Sequence, residues 1–288
     1  MRNLILVILT LAFFAGCQQE NVEYDYDLIN SNGIYVEKFD TLIKDEDRYT
    51  SNNKVFKPGR VFVYEYYLEK TNGEKYAFQS TKDAARLPAR QRLNSWNLVH
   101  TDSLTDISVE KVLLKVRPGL QPFIEHFPDY DQTIIEYHYV QRNNDRPFNE
   151  ATGVIENEKN VWLHPPRSNM FRVLELNPFP FVQAPYEIGN TWQWSLKIGD
   201  AWSDKRWKKW DGQIENQYQY EITDIRSVET AIGELECIEI SASAKSRIGQ
   251  THLVSYFNKE HGFVKLNYTN IDSTRLILEI QEIREEEF

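Results

Sequence analysis

Residues 61–79 read VFVYEYYLEKTNGEKYAFQ. Large apolar side chains occupy every second position in the first half, which predicts an extended strand with one buried face. They are Phe62, Tyr64, Tyr66 and Leu68. The Asn72-Gly73 pair that follows is a strong signal for a tight turn, and residues 75–79 return as a second strand. This stretch therefore predicts an antiparallel β-hairpin whose inner face joins a hydrophobic core.

Strand-like runs recur along the chain at the spacing of a β-meander, and no repeated helix separates them. They lie at residues 33–39, 111–117, 133–142, 153–156, 161–164, 171–176, 191–198, 213–223, 235–244, 252–258, 263–268 and 275–283. Residues 81–98 are the best helix candidate, but Pro88 interrupts the pattern and leaves a turn or two of helix or a structured loop. We therefore predict an all-β fold, a single antiparallel, strongly curved sheet (an open half-barrel or a barrel) with little helix.

The composition fits one large β domain. The 288 residues are 41% hydrophobic and 13% aromatic, which suffices for a sizeable core. A mean hydropathy of −0.57 excludes a multi-span membrane protein. The net charge of −10 argues against a nucleic-acid partner, because non-specific binding to nucleic acid needs a basic surface that displaces counterions.

The N-terminus has the features of a secretory signal. Arg2 precedes an apolar run at residues 4–15, which is too short to span a bilayer, and small residues precede Cys17. Residues 15–17 resemble the bacterial lipobox, in which the signal is cut before the cysteine and the cysteine carries lipid. The resemblance implies a signal peptide at 1–16 and a membrane anchor of acyl chains, palmitate among them, on Cys17. An ordinary secretory signal with an incidental cysteine is the alternative.

The residues after Cys17 bear on location and domain organisation. Gln18, in place of Asp, resembles outer-membrane sorting, and the acidic residues beyond it resemble surface-export signals of Bacteroidota lipoproteins. These features imply a lipid anchor in the cell outer membrane, with the body facing the periplasm or the cell surface. We interpret residues 17–55 as an acidic tether and residues 56–288 as a single β domain. Cys237 then has no disulfide partner and is predicted to be a small buried hydrophobe.

Three short patterns in residues 186–283 resemble a group of uncharacterised secreted and lipoprotein domains. They are Ile188-Gly189-Asn190-Thr191-Trp192-Gln193-Trp194, Ala231-Ile232-Gly233-Glu234-Leu235-Glu236-Cys237 and Glu260-His261-Gly262-Phe263-Val264-Lys265. Domains of this group have a β half-barrel similar to that of the periplasmic lipoprotein carriers. The resemblance implies a scaffold for an apolar ligand or a lipid-facing role, and it implies no catalytic residue. The glycines of the three patterns suit sharp turns that need a positive φ.

Six of the seven tryptophans lie in residues 161–212. Alternation places Trp192 and Trp194 on one strand face, which predicts that they are core residues. Residues 204–211 interleave cations with indoles, an arrangement that could stack on sugar rings or meet lipid phosphates. The alternative is an exposed strand edge, where lysines prevent aggregation and the indoles cap the core. The candidate contact residues are Trp202, Lys205, Arg206, Trp207, Lys208, Lys209 and Trp210.

Other polar residues could form a site. His164 and Arg167 flank two prolines that would hold them in place, either as contact residues or as a rigid corner that satisfies nearby carbonyls. Glu136 and His138 share a strand face, which is predicted to point to solvent because the neighbouring positions are apolar. The sequence has no HExxH, GxSxG, phosphate-binding glycine loop or CxxC motif, so we predict no catalytic site, metal or cofactor.

Three functions remain open at this level. The favoured one is a non-enzymatic envelope lipoprotein that binds an apolar or amphipathic ligand, or an envelope partner, in an aromatic cleft. The first alternative is a surface protein that binds or processes glycans. The second is a structural or assembly component that recognises another protein by strand-edge pairing or through its tryptophan-rich face.

Overall fold

The structure is a computed structural model, which describes residues 26–39, 48–81, 86–88, 95–121, 123–126, 130–142 and 148–287. The strands of these residues, β1 to β16 in chain order, are Asp27–Ser31, Ile34–Lys38, Arg60–Glu69, Lys75–Ser80, Trp96–His100, Val109–Val116, Thr133–Gln141, Phe148–Glu156, Asn160–Leu163, Phe181–Gln183, Thr191–Ile198, Ile214–Thr230, Gly233–Ser246, Gly249–Asn258, Gly262–Thr269 and Arg275–Glu285. Helical segments are short: Arg48–Thr50, Thr101–Ser103, Phe123–His126, Asn169–Leu176 and Asp200–Trp202. No helix in these ranges is both long enough and apolar enough to cross a bilayer.

One antiparallel sheet of fourteen strands contains nearly the whole domain. Its order is β10-β9-β8-β7-β6-β3-β16-β15-β14-β13-β12-β11, and β4 pairs with both β3 and β5. The two end strands, β10 and β11, follow each other along the chain and approach without pairing, with the rings of Phe181 and Trp192 centred 5.6 Å apart. The prediction of an all-β, strongly curved sheet is confirmed, and the sheet is nearly closed.

Most predicted strands are confirmed, because period-two alternation marks the buried face of each. The hairpin of β3 and β4 turns at Gly73, and Gly189, Gly233 and Gly262 of the three quoted patterns all have positive φ. Trp192 and Trp194 are core residues that stack on tyrosines of β12. Cys237 is buried and forms no disulfide.

Two local predictions are wrong. Residues 171–176 lie in the 3₁₀ segment Asn169–Leu176 and not in a strand. Asn169 has a φ of 55°, which turns the chain inward, and hydrogen bonds three residues apart replace a strand partner. The end of the helix candidate at 81–98 belongs to β5, where Trp96 is buried against Phe78. Most of the remainder of that candidate lies outside the described residues.

The described part of the predicted tether is packed on the body. Strands β1 and β2 form a hairpin, and Ile34 and Val36 join the main core. The N–H of Tyr35 donates to Asn160 Oδ1 at 2.7 Å, while Asn32 Nδ2 donates to the backbone oxygen of Ser195 at 2.7 Å. The hairpin therefore bridges β9 and β11 across the seam of the barrel. Cys17, the signal sequence and the start of the tether lie outside the described residues.

Candidate functional site

The concave face of the sheet is filled by residues 165–180, here called the plug. The ring of Phe171 lies between 5.2 and 5.9 Å from aromatic rings of β3, β4 and β7. The ring of Phe179 lies between 5.4 and 6.2 Å from rings of β9, β11 and β12. The backbone oxygen of Leu176 accepts from Asn216 Nδ2 at 3.1 Å and from Thr251 Oγ1 at 2.8 Å. The plug thus fills the concave side of the sheet with the chain's own side chains.

His164 and Arg167 lie at the start of this filled interior. The His164 ring is buried, centred 4.7 Å from the ring of Phe179, and its Nδ1 lies 2.8 Å from the backbone oxygen of Pro165. Arg167 Nη1 lies 3.3 Å from His164 Nε2. Burial, together with the charge of Arg167, lowers the pKa of His164 to about 3, so the ring is neutral at ordinary pH. His164 therefore has the position of a buried corner residue that binds a carbonyl.

A partly buried carboxyl group, Glu150, and a buried one, Glu175, complete this cluster. Glu150 accepts hydrogen bonds from Tyr139 Oη at 2.5 Å, from Ser168 Oγ at 2.5 Å and from the N–H of Arg167 at 2.7 Å. Glu175 is less well satisfied, because its Oε2 has no hydrogen-bond partner and lies 3.9 Å from His164 Nε2. Burial raises the pKa of Glu175 to about 7. Since His164 is neutral, the two groups do not form an ion pair.

This cluster has the residue types of an acid–base site, but its histidine and one of its two carboxyl groups are buried. His164 is 8% exposed and Glu175 is 7% exposed, whereas Glu150 is partly buried. Perturbed carboxyl groups in structural networks are common, and catalysis additionally needs contact with a substrate. The sequence did not single out Glu150 or Glu175, because nothing local distinguishes them from the other acidic residues of this chain.

The tryptophans of the 204–211 tract belong to the main core. Trp207 is 8% exposed and Trp210 is 6% exposed, so neither indole face is free for a sugar or a membrane. Arg206 is also part of the fold: its guanidinium lies 4.1 Å from the ring centre of Trp96 and binds both oxygens of Asp204. Burial would raise the pKa of Asp204, but the hydrogen bonds from Arg206 outweigh it and hold that pKa below its usual value.

The exposed part of this tract is Lys205, Lys208 and Lys209, here called the lysine surface. Trp202 lies beside it, half-buried, with the guanidinium of Arg172 5.6 Å from its ring centre. The structure therefore divides the seven candidate contact residues. Three lysines and one indole edge face solvent, while the other three side chains support the loop.

Glu136 and His138 lie on the outer face of β7, as predicted. Glu136 Oε2 is 2.9 Å from His138 Nε2, and its Oε1 accepts from Arg117 Nη1 at 3.1 Å. These contacts, the one with His138 foremost, lower the pKa of Glu136 although partial burial opposes them. Within the described ranges, no three His, Cys, Asp or Glu side chains are placed to hold a metal ion.

A surface element that sequence reasoning missed is the far end of the β12–β13 hairpin. Pairing of β12 with β11 ends at Glu221, and pairing of β13 with β14 begins at Ile238. Residues 224–237, here called the arm, therefore have only each other as strand neighbours among the described residues. Strand β12 continues for five residues beyond Ile225, and this extension is about 17 Å long. The quoted glycine pattern at 231–237 predicted the turn, but it did not predict how far the arm extends beyond the neighbouring strands.

The arm lies beside exposed apolar side chains. Ile188 is 62% exposed and Ile225 is 39% exposed, and only Ile29 joins them as an exposed large hydrophobic residue of the described chain. Gly189, the neighbour of Ile188, donates its N–H to the backbone oxygen of Ile222 at 2.8 Å. Both isoleucines thus flank the point at which β12 loses its strand partner.

Comparisons with known proteins give distant likenesses. No family model matches the chain, and no curated protein matches it significantly in sequence. A proposed lipoprotein of Parabacteroides distasonis is 12% identical, with 80% of this chain and 97% of that one covered and a TM-score of 0.45. A proposed exported protein of Bacteroides fragilis with a YmcC-like fold is 9% identical, with 80% and 98% covered and a TM-score of 0.39.

The hypothetical lipoprotein YmcC of Escherichia coli is 8% identical, with 77% of this chain and 84% of that one covered and a TM-score of 0.34. These proteins are of the kind that the resemblance in residues 186–283 implied, exported proteins and lipoproteins of bacteria, two of them from Bacteroidota. Likenesses of this degree carry no argument about a ligand, a partner or an activity.

Proposed function

We propose that this protein is a lipid-anchored component of the cell envelope that acts without catalysis, by holding a partner protein on its surface. The lipobox at residues 15–17 supports the anchor on Cys17, and Gln18 supports placement in the outer membrane. The acid–histidine cluster contributes to the fold and does not act on a substrate. The observation that carries the proposal is the arm, a β-hairpin that has no further strand partner in the described part of the chain and lies beside exposed isoleucines.

The favoured sequence prediction allowed either an apolar ligand or an envelope partner, and the filled interior argues against the apolar ligand. An apolar ligand would have to displace Phe171 and Phe179, which are 0% and 1% exposed. Removing a phenylalanine from such a site costs roughly 3–5 kcal/mol, and the plug also holds polar contacts to β12 and β14. A surface partner requires no such rearrangement.

The test shortens the arm and keeps the remaining residue pairs of β12 and β13. Residues 227–236 are replaced by Asn-Gly, so that Arg226 and Cys237, which face each other in the hairpin, are joined by a two-residue turn. The control replaces only Ala231 and Ile232, the two turn residues of the intact arm, by Asn-Gly. Val228, Ile232 and Leu235 of the arm pack against the main core, so shortening the arm is expected to lower the melting temperature, and both variants are assayed well below their unfolding transitions.

Each variant is then expressed in its own host, crosslinked and purified. Recovery of one protein with the parent and the control, and at least tenfold less of it with the shortened arm, is the expected result. Equal recovery with the shortened arm, or no recovered protein with any of the three, would contradict the proposal.

A second candidate is recognition of a glycan or another anionic polymer at the lysine surface. It is favoured by three exposed lysines beside the half-buried ring of Trp202. Attraction between a polybasic cluster and a polyanion weakens with salt. Glycan arrays with the parent, with Trp202→Ala and with Lys205, Lys208 and Lys209 changed together to Ala test it. Binding that survives both changes, or is absent from the parent, rules this candidate out.

A further inference from the structure

The outer edge of β12 has unused hydrogen-bonding groups at defined positions. Asn258 Nδ2 donates to the backbone oxygen of Glu236 at 2.9 Å, so the polar backbone groups of Glu236 point away from β12. Glu236 faces Ser227 in the hairpin, and in an antiparallel pair the two facing residues either bond each other or both point outward. The backbone N–H and C=O of Ser227 therefore point to the free edge of β12.

The residues two positions to either side of Ser227 have the same backbone orientation. Ile225 and Glu229 also turn their backbone groups to this edge, because orientation alternates along a strand. The N–H of Ile225 is satisfied by Asp224 Oδ1 at 2.8 Å. Within the described chain, the N–H groups of Ser227 and Glu229 and the three carbonyl groups have no strand partner. Such an edge is a template for one further strand.

The fold covers a comparable edge elsewhere. Asn32 Nδ2 and Gly33 of the N-terminal hairpin lie against the outer edge of β11, at Ser195 and Gln193. No proline or lysine lies in residues 224–237, and the one irregularity of the β12–β13 ladder precedes Ile225. The usual means of blocking an edge with a bulge, a proline or a lysine are therefore absent along residues 225–230.

The charge of the arm determines which kind of partner segment can bind to it. The arm carries Asp224, Glu229, Glu234 and Glu236, against the single cation Arg226. Arg226 is itself occupied by Glu239 and by Tyr256 Oη. No described residue forms an ion pair with Glu229 or Glu236, so the unpaired charge of the arm is negative. Opposite charges facing each other across strands stabilise a pair, and like charges destabilise it.

We infer that the free edge of β12 at residues 225–229 binds an extended basic segment of a partner protein as an added β-strand. The segment places an apolar side chain beside Ile225 and Ile188 and a lysine or arginine beside Glu229. This inference rests on the proposed function, since it specifies how the arm holds its partner. Main-chain bonds supply the affinity in this mode, and alternate side chains supply the selectivity.

The test uses two proline variants, one on each edge of the hairpin. Ser227→Pro removes an outward N–H from the β12 edge, and Glu236→Pro removes an outward N–H from the opposite edge of the same hairpin. Proline is tolerated where the N–H faces solvent, so both variants are expected to fold, which thermal unfolding verifies. Glu229→Lys reverses the charge at the edge without altering the backbone.

A photo-crosslinking amino acid at position 230 of the full chain, in its own host, reports contact with the partner, and tandem mass spectrometry of the crosslinked peptide identifies the segment. We expect a segment rich in lysine or arginine, captured about tenfold less by Ser227→Pro and by Glu229→Lys and undiminished by Glu236→Pro.

Equal capture by the two proline variants, an acidic segment, or no capture at position 230 would overturn the inference. If the shortened arm loses the partner but Ser227→Pro keeps it, the proposed function stands and strand addition fails. If the shortened arm keeps the partner, the proposed function itself fails.

Discussion

Asn32 Nδ2 lies 2.7 Å from the backbone oxygen of Ser195, so the tip of the N-terminal hairpin caps the edge of an end strand of the sheet. The same hairpin binds Asn160 through the N–H of Tyr35. The seam of the barrel is therefore closed by residues from the segment that leads to Cys17. The sequence predicts that this segment is a tether, but its hairpin is part of the fold.

Gly33→Ala tests this seam. A Cβ at Gly33 would lie 2.2 Å from the backbone oxygen of Gln193, and the residue has a φ of +96°. The control is Gly73→Ala, with a φ of +84° and no atom within 4 Å of its Cβ. We expect the control to lose about 1 kcal/mol of unfolding free energy and Gly33→Ala to lose roughly 1–3 kcal/mol more. Equal losses in urea unfolding would mean that the hairpin tip contributes nothing to stability.

Glu175→Gln tests the buried carboxyl group. Its pKa of about 7 in the fold exceeds the ordinary value of 4.5, so the folded state keeps a proton that the unfolded state loses. The parent therefore loses stability as pH rises from 4.5 to 7, by roughly 3 kcal/mol in all. We expect the variant to match the parent at pH 4 and to be more stable at pH 8.

The matched control for Glu175→Gln is Glu215→Gln, an exposed position on the outer face of β12. The pH profile of this variant shows the effect of removing a surface carboxyl group, and the Glu175→Gln profile is compared with it. A Glu175→Gln difference that is constant between pH 4 and pH 8 would show that the fold does not raise the pKa of Glu175.

Trp210→Ala and Trp202→Ala separate core indoles from surface indoles. Trp210 is 6% exposed and belongs to the main core, whereas Trp202 is half-buried. We expect Trp210→Ala to cost roughly 3–5 kcal/mol of unfolding free energy and Trp202→Ala clearly less. Replacing Lys205, Lys208 and Lys209 by Ala should change stability by less than about 0.5 kcal/mol each. Comparable losses for the two tryptophan variants in urea unfolding would place Trp202 in the core as well.

Cys17→Ala tests the anchor. Loss of the lipid should move the protein from the membrane fraction to the soluble fraction, because the acyl chains are expected to provide the attachment. Cys237→Ala is the control, since the Cys237 thiol is buried and cannot carry lipid without unfolding. Membrane association that is unchanged in Cys17→Ala would refute the lipobox assignment.

Most of the strands could be predicted, because the alternation that marks a strand involves only neighbouring residues. Residues 191–198 alternate apolar and polar side chains, and strand β11 has these very bounds. The strand prediction at residues 171–176 was wrong, and there Phe171, Val173 and Leu174 are all buried inside the plug. A segment enclosed by a barrel needs no strand face, so its apolar pattern does not report its conformation.

The candidate site was less predictable than the fold. The sequence left the 204–211 tract open, either as a contact surface or as a strand edge whose indoles cap the core. The structure buries Trp207 and Trp210 and turns Arg206 onto Trp96, more than a hundred residues away. The sequence does not show whether an indole points inward or outward in a loop without strand periodicity. The arm escaped notice for a related reason, because it depends on where β11 and β14 stop.

The sequence by itself determined the all-β class, the hairpin turns, the buried tryptophans of β11 and the expectation of a lipid anchor. Each depends on neighbours within a few residues, through alternation, turn chemistry or a short signal. Only the tertiary structure decided that residues 165–180 fill the barrel, that the N-terminal hairpin closes its seam and that the β12 edge stays open. These features arise from contacts between residues distant in the chain, and local pattern carries no information about which distant residues meet.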